Sequence, residues 1–251
     1  MAYIGNKDFL IEVAKEKVPG HKSVDFIGKN NDVGSGSWEV LNDLGGAASF
    51  LTSPDTIRIK AGGSSNDSSS GSGARAVEIK GLDSNGDEAT ETIVTNGSSA
   101  SSSTQTEFWR INEAKVLTCG TYGGSNIGAI TIQSTGGTDL LRIPIGEGYA
   151  PTGLFSVPKG KGLFLLHTFI TVETKKVLDI KVNYRTNFTN TTPPVDPVNI
   201  FTFYHDIEGL SLNIEHKTHK FSELTDVWFE AKGVGGSGAI TIEQEAILFT
   251  L

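Results

Sequence analysis

The densest group of potential ligands is Asp83-Ser84-Asn85-Gly86-Asp87-Glu88, three carboxylates within one short stretch. A calcium loop of the EF-hand type needs glycine at its sixth position and glutamate at its twelfth. Here the glycine comes fourth, and Asn85-Gly86 is a strong hairpin-turn signal. A plain turn is the expectation, with a metal site as the alternative.

Other chemistry-bearing residues assemble no better. The five histidines are His21, His167, His205, His216 and His219. Within a strand, His216 and His219 would point to opposite faces, and no paired-histidine metal motif occurs. No Gly-x-Ser-x-Gly elbow joins a strand to a helix, and the glycine run at 120–124 lacks the lysine of a phosphate loop. The sequence therefore assigns no catalytic residue, no cofactor and no metal. Cys119, the single cysteine, has no disulfide partner and reads as a small half-buried strand residue. Trp38, Trp109 and Tyr122 are candidate sugar platforms or, alternatively, core or interface residues.

The elements that would position such residues are mostly strands. The 251 residues include 30 glycines and carry a net charge of −8 with a pI near 5.1. That balance argues against a nucleic-acid surface, which needs a basic patch. No run approaches the ~20 apolar residues of a membrane span. The N-terminal residues carry Asp8 and Glu12 without an apolar stretch, so no signal peptide is read. Positions 8–18 predict one helix, capped by Asp8 and stopped by Pro19-Gly20, docking on its own domain or on a neighbour. Positions 24–50 read as an irregular glycine-rich loop anchored by Trp38. Ile57 and Ile59 begin a period of two, and 62–73 reads as a flexible Gly/Ser loop. A hairpin follows, with Val77 and Ile79 before the Asn85-Gly86 turn and Thr90, Thr92 and Val94 after it. Further strands are predicted at 108–117, 129–133, 140–145, 153–157, 162–173, 177–184, 201–204, 210–215, 227–232 and 239–249. The expected fold is all-β, with two β-sandwich or jelly-roll-like domains and a short N-terminal helix or arm. Its divisions are 1–52 (helix and extended arm), 53–148 and 149–251. Gly128-Ala129-Ile130-Thr131-Ile132 recurs as Gly238-Ala239-Ile240-Thr241-Ile242, from duplication or from chance likeness of simple strands.

Two segments resemble tailed-phage virion structural proteins, many from marine phages. One is Val24-Asp25-Phe26-Ile27-Gly28-Lys29-Asn30-Asn31-Asp32-Val33, followed by Trp38 and Gly45-Gly46. The other runs from Gly73-Ala74-Arg75-Ala76-Val77-Glu78-Ile79-Lys80-Gly81-Leu82-Asp83 to Arg110-Ile111-Asn112. Phe155-Ser156-Val157-Pro158-Lys159-Gly160-Lys161 resembles the start of that family's C-terminal β-domain. The resemblance implies a non-enzymatic virion component, assembled in the host cytoplasm. It would be a capsid-exterior decoration or cement protein, or alternatively a tail, collar or fibre part that binds host carbohydrate. Its partners would be other virion proteins and further copies of itself, with no nucleic acid and no membrane. Phe9, Phe26 and Trp38 are the candidate interface residues. The loops at 24–50 and 62–73 are expected to gain order only against neighbouring subunits, and to be protease-sensitive before assembly.

Overall fold

The computed structural model describes residues 9–209, 211–216 and 218–251. Among them is one short helix, α1 (Phe9–Ala14). Val13 is buried beneath it and Phe9 meets His21 edge-on, so the helix docks on its own chain. The predicted cap, Asp8, lies outside the described residues. The helix ends at Ala14, four residues before its predicted end at 18, with Glu16 already at a positive φ.

Everything else regular is antiparallel β. The first sheet of the main sandwich contains β1 (His21–Val33), β10 (Lys161–Val172), β13 (Ser211–Glu215) and β15 (Gly238–Thr250), in the order β1-β15-β10-β13. The second contains β2 (Glu39–Val40), β11 (Val177–Arg185), β12 (Asn199–Glu208) and β14 (Asp226–Gly233), in the order β12-β11-β14-β2. This interleaved order is the double Greek key of a jelly roll. Inward residues alternate along each strand, as Leu178, Ile180 and Val182 do on β11 and Ile240, Ile242, Ala246 and Leu248 do on β15, and they form the sandwich core.

A second β-domain is set into this sandwich. β9 (Leu154–Ser156) pairs with β14 just beyond the stretch that β2 occupies. β11 fills the other side of β14, so β2 and β9 lie end to end along one edge. The intervening residues therefore interrupt a single strand of the jelly roll. They carry β3 (Asp55–Ile59), β4 (Ala74–Asp83), β5 (Glu88–Val94), β6 (Glu107–Cys119), β7 (Ile130–Ser134) and β8 (Asp139–Ile143), in the order β5-β4-β6-β3-β7-β8. β3 pairs with β6 through Asp55 and Thr56 and with β7 through Ile57–Ile59, which folds the sheet around its own core. The backbone at 148–150 returns to bond Val116 and Ala114 of β6. The chain leaves and rejoins the sandwich at one point. There Gly153 (φ 57°) packs against the Leu41 carbonyl, and Gly28 of β1 packs against Gly153, where any Cβ would collide.

This corrects the expected divisions. Within 24–50, residues 24–33 and 39–40 are strands and only 34–38 and 41–50 are irregular, and the described part of 1–52 is not an arm apart from the last domain. Residues 21–40 supply two strands of the jelly roll, and β1 pairs with β15 from His21↔Phe249 to Val33↔Gly238. The 62–73 segment is also ordered. Asp67, 2% exposed, accepts hydrogen bonds from the amides of Ala74 (2.8 Å), Ile127 (2.9 Å) and Gly128 (2.7 Å). The glycines here let backbones touch: a side chain on Gly71 would overlap the Asn66 carbonyl, and one on Gly120 the Gly71 carbonyl. The internal echo falls on β7 and β15. Both present inward isoleucines, but they occupy different places in unlike sheets, so no domain duplication underlies it.

Candidate functional site

The three expected interface residues are not gathered into one surface. Phe26 is 1% exposed, stacks on Phe155 and meets Phe229 at a tilt inside the sandwich, so it is a core residue. It is inward because residues alternate along a strand that the sequence did not reveal. Trp38 is half-buried on the outer face of the second sheet, edge-on to Phe203 at 5.3 Å with the Lys181 ammonium 4.5 Å from its ring centre. Phe9 sits at the other sheet, against His21. Of the candidate sugar platforms, Trp109 packs edge-on to Phe188, while Tyr122 is fully exposed on a turn.

The carboxylate-rich turn is a turn. The Asp83 side chain accepts from the amides of Asn85 (2.8 Å) and Asp87 (3.0 Å), and Gly86 takes φ 82°. Its tip docks on the jelly roll, where the Lys159 amide donates to the Gly86 carbonyl and Leu224 leaves no space for a Cβ. His216 and His219 do share a side, both lying against the Phe201 ring, because the strand ends at Glu215. No group of three metal-ligating side chains occurs among the described residues.

Two features join the domains, and neither was legible in the sequence. The first is a buried clamp. Asp226 on β14 accepts from Arg110 of β6 through Nε (2.8 Å) and Nη2 (3.0 Å), from Arg185 Nη2 (2.7 Å) and from Ser156 Oγ (2.6 Å). Arg110 also donates to the carbonyls of Leu51 and Trp109, and its guanidinium lies over the rings of Phe50 and Phe188. Such bidentate pairing of Arg110 with Asp226 is what a buried charge requires, while the buried Nε of Arg185 has no hydrogen-bond partner among the described residues.

The second feature is a cleft of about 310 Å³ between β1 and the inserted domain. One wall is the 22–26 stretch of β1; the other is formed by β4, β5 and β6, with Tyr149 between them. Beside it, Lys80 and Lys115 alternate with Glu78 and Glu113 at 3.0–3.3 Å. Hydrogen bonding from Lys115, and then Lys80, holds the Glu78 carboxyl below its usual range, while Glu113 and Glu78 push the Lys115 ammonium upward. Both are thereby fixed in their charged forms, whereas proton transfer at neutral pH needs groups poised near it. Burial, then the Glu113 charge, pushes the Tyr149 hydroxyl up to about 12. Asp25 is shifted upward, first by desolvation and then by Glu245 and Glu243.

No family model matches the chain, and no curated protein matches it. It is similar to a solved structure of the infectious bursal disease virus Gt strain, at 10% identity over 96% of this chain and 78% of that one, with a TM-score of 0.26. A superposition that loose carries no inference about function.

Proposed function

We propose that the chain is a non-enzymatic structural subunit of a tailed-phage virion, seated on the capsid exterior and held by contacts with capsid subunits and further copies of itself. The observation that carries this reading is the architecture. A jelly roll, a fold used by capsid and lectin domains alike, holds a second β-domain within one of its strands, and the Arg110–Asp226 pair ties the two together. A unit joined in this way suits a load-bearing block. The resemblance of residues 24–33 and 73–112 to phage virion proteins supports the same reading and supplies its biological setting.

The test is to purify the particles, quantify this chain against the major capsid protein by mass spectrometry, and localise it by antibody labelling. A fixed stoichiometry with label on the head is expected. Absence from washed particles would overturn the virion reading. Label confined to the tail would overturn the capsid-exterior position and favour a tail or fibre component.

A further inference from the structure

The cleft wall contributed by β1 is a free strand edge. Ile27 pairs with Glu243 across the sheet, yet its carbonyl accepts from the amides of Thr152 and Gly153 on the opposite side. The Lys29 amide likewise donates away from the sheet, to the Leu41 carbonyl. Ile27 and Lys29 therefore occupy non-hydrogen-bonded positions of the β1–β15 ladder. The register runs unbroken from His21 to Asn30, so Asp25 and Ser23 have the same parity. Their N–H and C=O groups point away from β15 into the cleft, and no backbone or side-chain partner reaches them among the described residues.

The charges on the cleft walls are matched with one exception. Lys22 reaches Glu88 at 3.7 Å, and Lys80 lies between Glu78 and Glu113. Asp25 has no cation within ion-pair distance among the described residues, and it stands directly across the ladder from Glu245. At a non-hydrogen-bonded pair, side chains come closer than elsewhere in a sheet. Glu243 lies diagonally beyond, and the upward shift of Asp25 agrees with this crowding.

We propose that this cleft binds an extended peptide segment of a partner protein, which adds to the edge of β1 through Ser23 and Asp25 and places a lysine or arginine against the Asp25 carboxylate. The mode is strand addition: main-chain bonds supply affinity, and one matched charge supplies selectivity. A span from Ser23 to Asp25 accommodates about three ligand residues at roughly 3.3 Å each. This goes beyond the virion reading and is tested on the isolated chain, so the two stand or fall separately.

The test is an NMR titration of the isotope-labelled chain with acetyl-Thr-Val-Lys-Val-Thr-amide. The controls are the same peptide with glutamate in place of lysine, and two forms N-methylated on alternate residues, one for each peptide edge. The lysine peptide is expected to shift the Ser23 and Asp25 amides and slow their exchange. The glutamate peptide, one of the two N-methylated forms, and the Asp25→Asn chain with the lysine peptide should each bind about tenfold more weakly, the effect of losing one charge-assisted or main-chain bond. The proposal is overturned if no peptide shifts these amides at millimolar concentration. Equal binding of the N-methylated forms or of the glutamate peptide overturns it as well, as does finding both amides already protected in the free chain.

Discussion

Replacing Asp226 with alanine should test whether the two domains form one cooperative unit. The carboxylate is 1% exposed and receives four hydrogen bonds, two of them from Arg110, whose side chain is 3% exposed. Its removal leaves the Arg110 charge buried without a counter-charge, facing the carbonyls of Leu51 and Trp109 and the rings of Phe50 and Phe188, while Arg185, partly exposed, can turn to water. Breaking a buried pair from one side costs about 3–5 kcal/mol, a large share of the ~5–15 kcal/mol that holds a typical domain. The double substitution Arg110→Met with Asp226→Leu removes both charges, and should recover most of the loss. Guanidinium unfolding followed by tryptophan fluorescence provides the assay, since Trp109 and Trp228 flank the clamp in sequence and lie in different domains. The parent should unfold in one transition and Asp226→Ala in two, and the cycle of Arg110→Met, Asp226→Leu and their double substitution should give a coupling of at least about 2 kcal/mol. A loss below about 1 kcal/mol, or additive single effects, would refute the reasoning.

Asp67→Ala strands the buried amide of Ala74, at about 1–3 kcal/mol, and removes the acceptor of the half-buried amides of Ile127 and Gly128. It should lower the melting temperature markedly and open the 62–73 segment to protease, whereas the parent segment should resist cleavage without any partner; limited proteolysis distinguishes the two. Asp25 binds its proton more tightly folded than unfolded, so stability declines as pH rises from the ordinary carboxylate value of 3.8 through its raised one. Asp25→Asn should therefore stabilise the chain at neutral pH by about 0.2–1 kcal/mol, the range for cross-strand charge pairs, as read by thermal unfolding across pH. Burial depresses the His216 proton affinity below the ordinary 6.5, so stability present above that pH is lost as pH falls through the depressed value. His216→Gln should flatten this part of the stability–pH curve in the same experiment.

Strands with clean alternation were legible in the sequence. The predicted 162–173 is β10, 177–184 is β11, and 239–249 falls within β15. Leu210, at the start of the predicted 210–215 strand, lies outside the described residues. β1 was hidden because its inward positions include Gly28 and Asn30, small or polar residues that a hydrophobicity pattern passes over. Gly28 is inward because Ile242 and Gly153 occupy the space a side chain would take. The order of 62–73 was hidden for a related reason: it rests on main-chain contacts and one carboxylate, which composition cannot distinguish from a flexible linker. The clamp joins residues 116 positions apart, and two single charges at that separation carry no local signal. The cleft depends on the parity of a ladder, which exists only once β1 has found β15.

That last pairing also sets an order of events as the chain is made. The inserted domain draws its strands from one continuous stretch, and all six are available once β8 has emerged. The jelly roll cannot close then, because β15 lies between β1 and β10 and follows every other strand described. β1 must wait for its neighbour until all the other strands have been made. The insertion is therefore expected to fold first, bringing β2 and β9 together before the sheets they will join exist, with the sandwich then built around it. A chain that ends before Gly238 should retain a folded inserted domain and an unformed jelly roll, with the inner faces of both sheets exposed to any neighbouring copy.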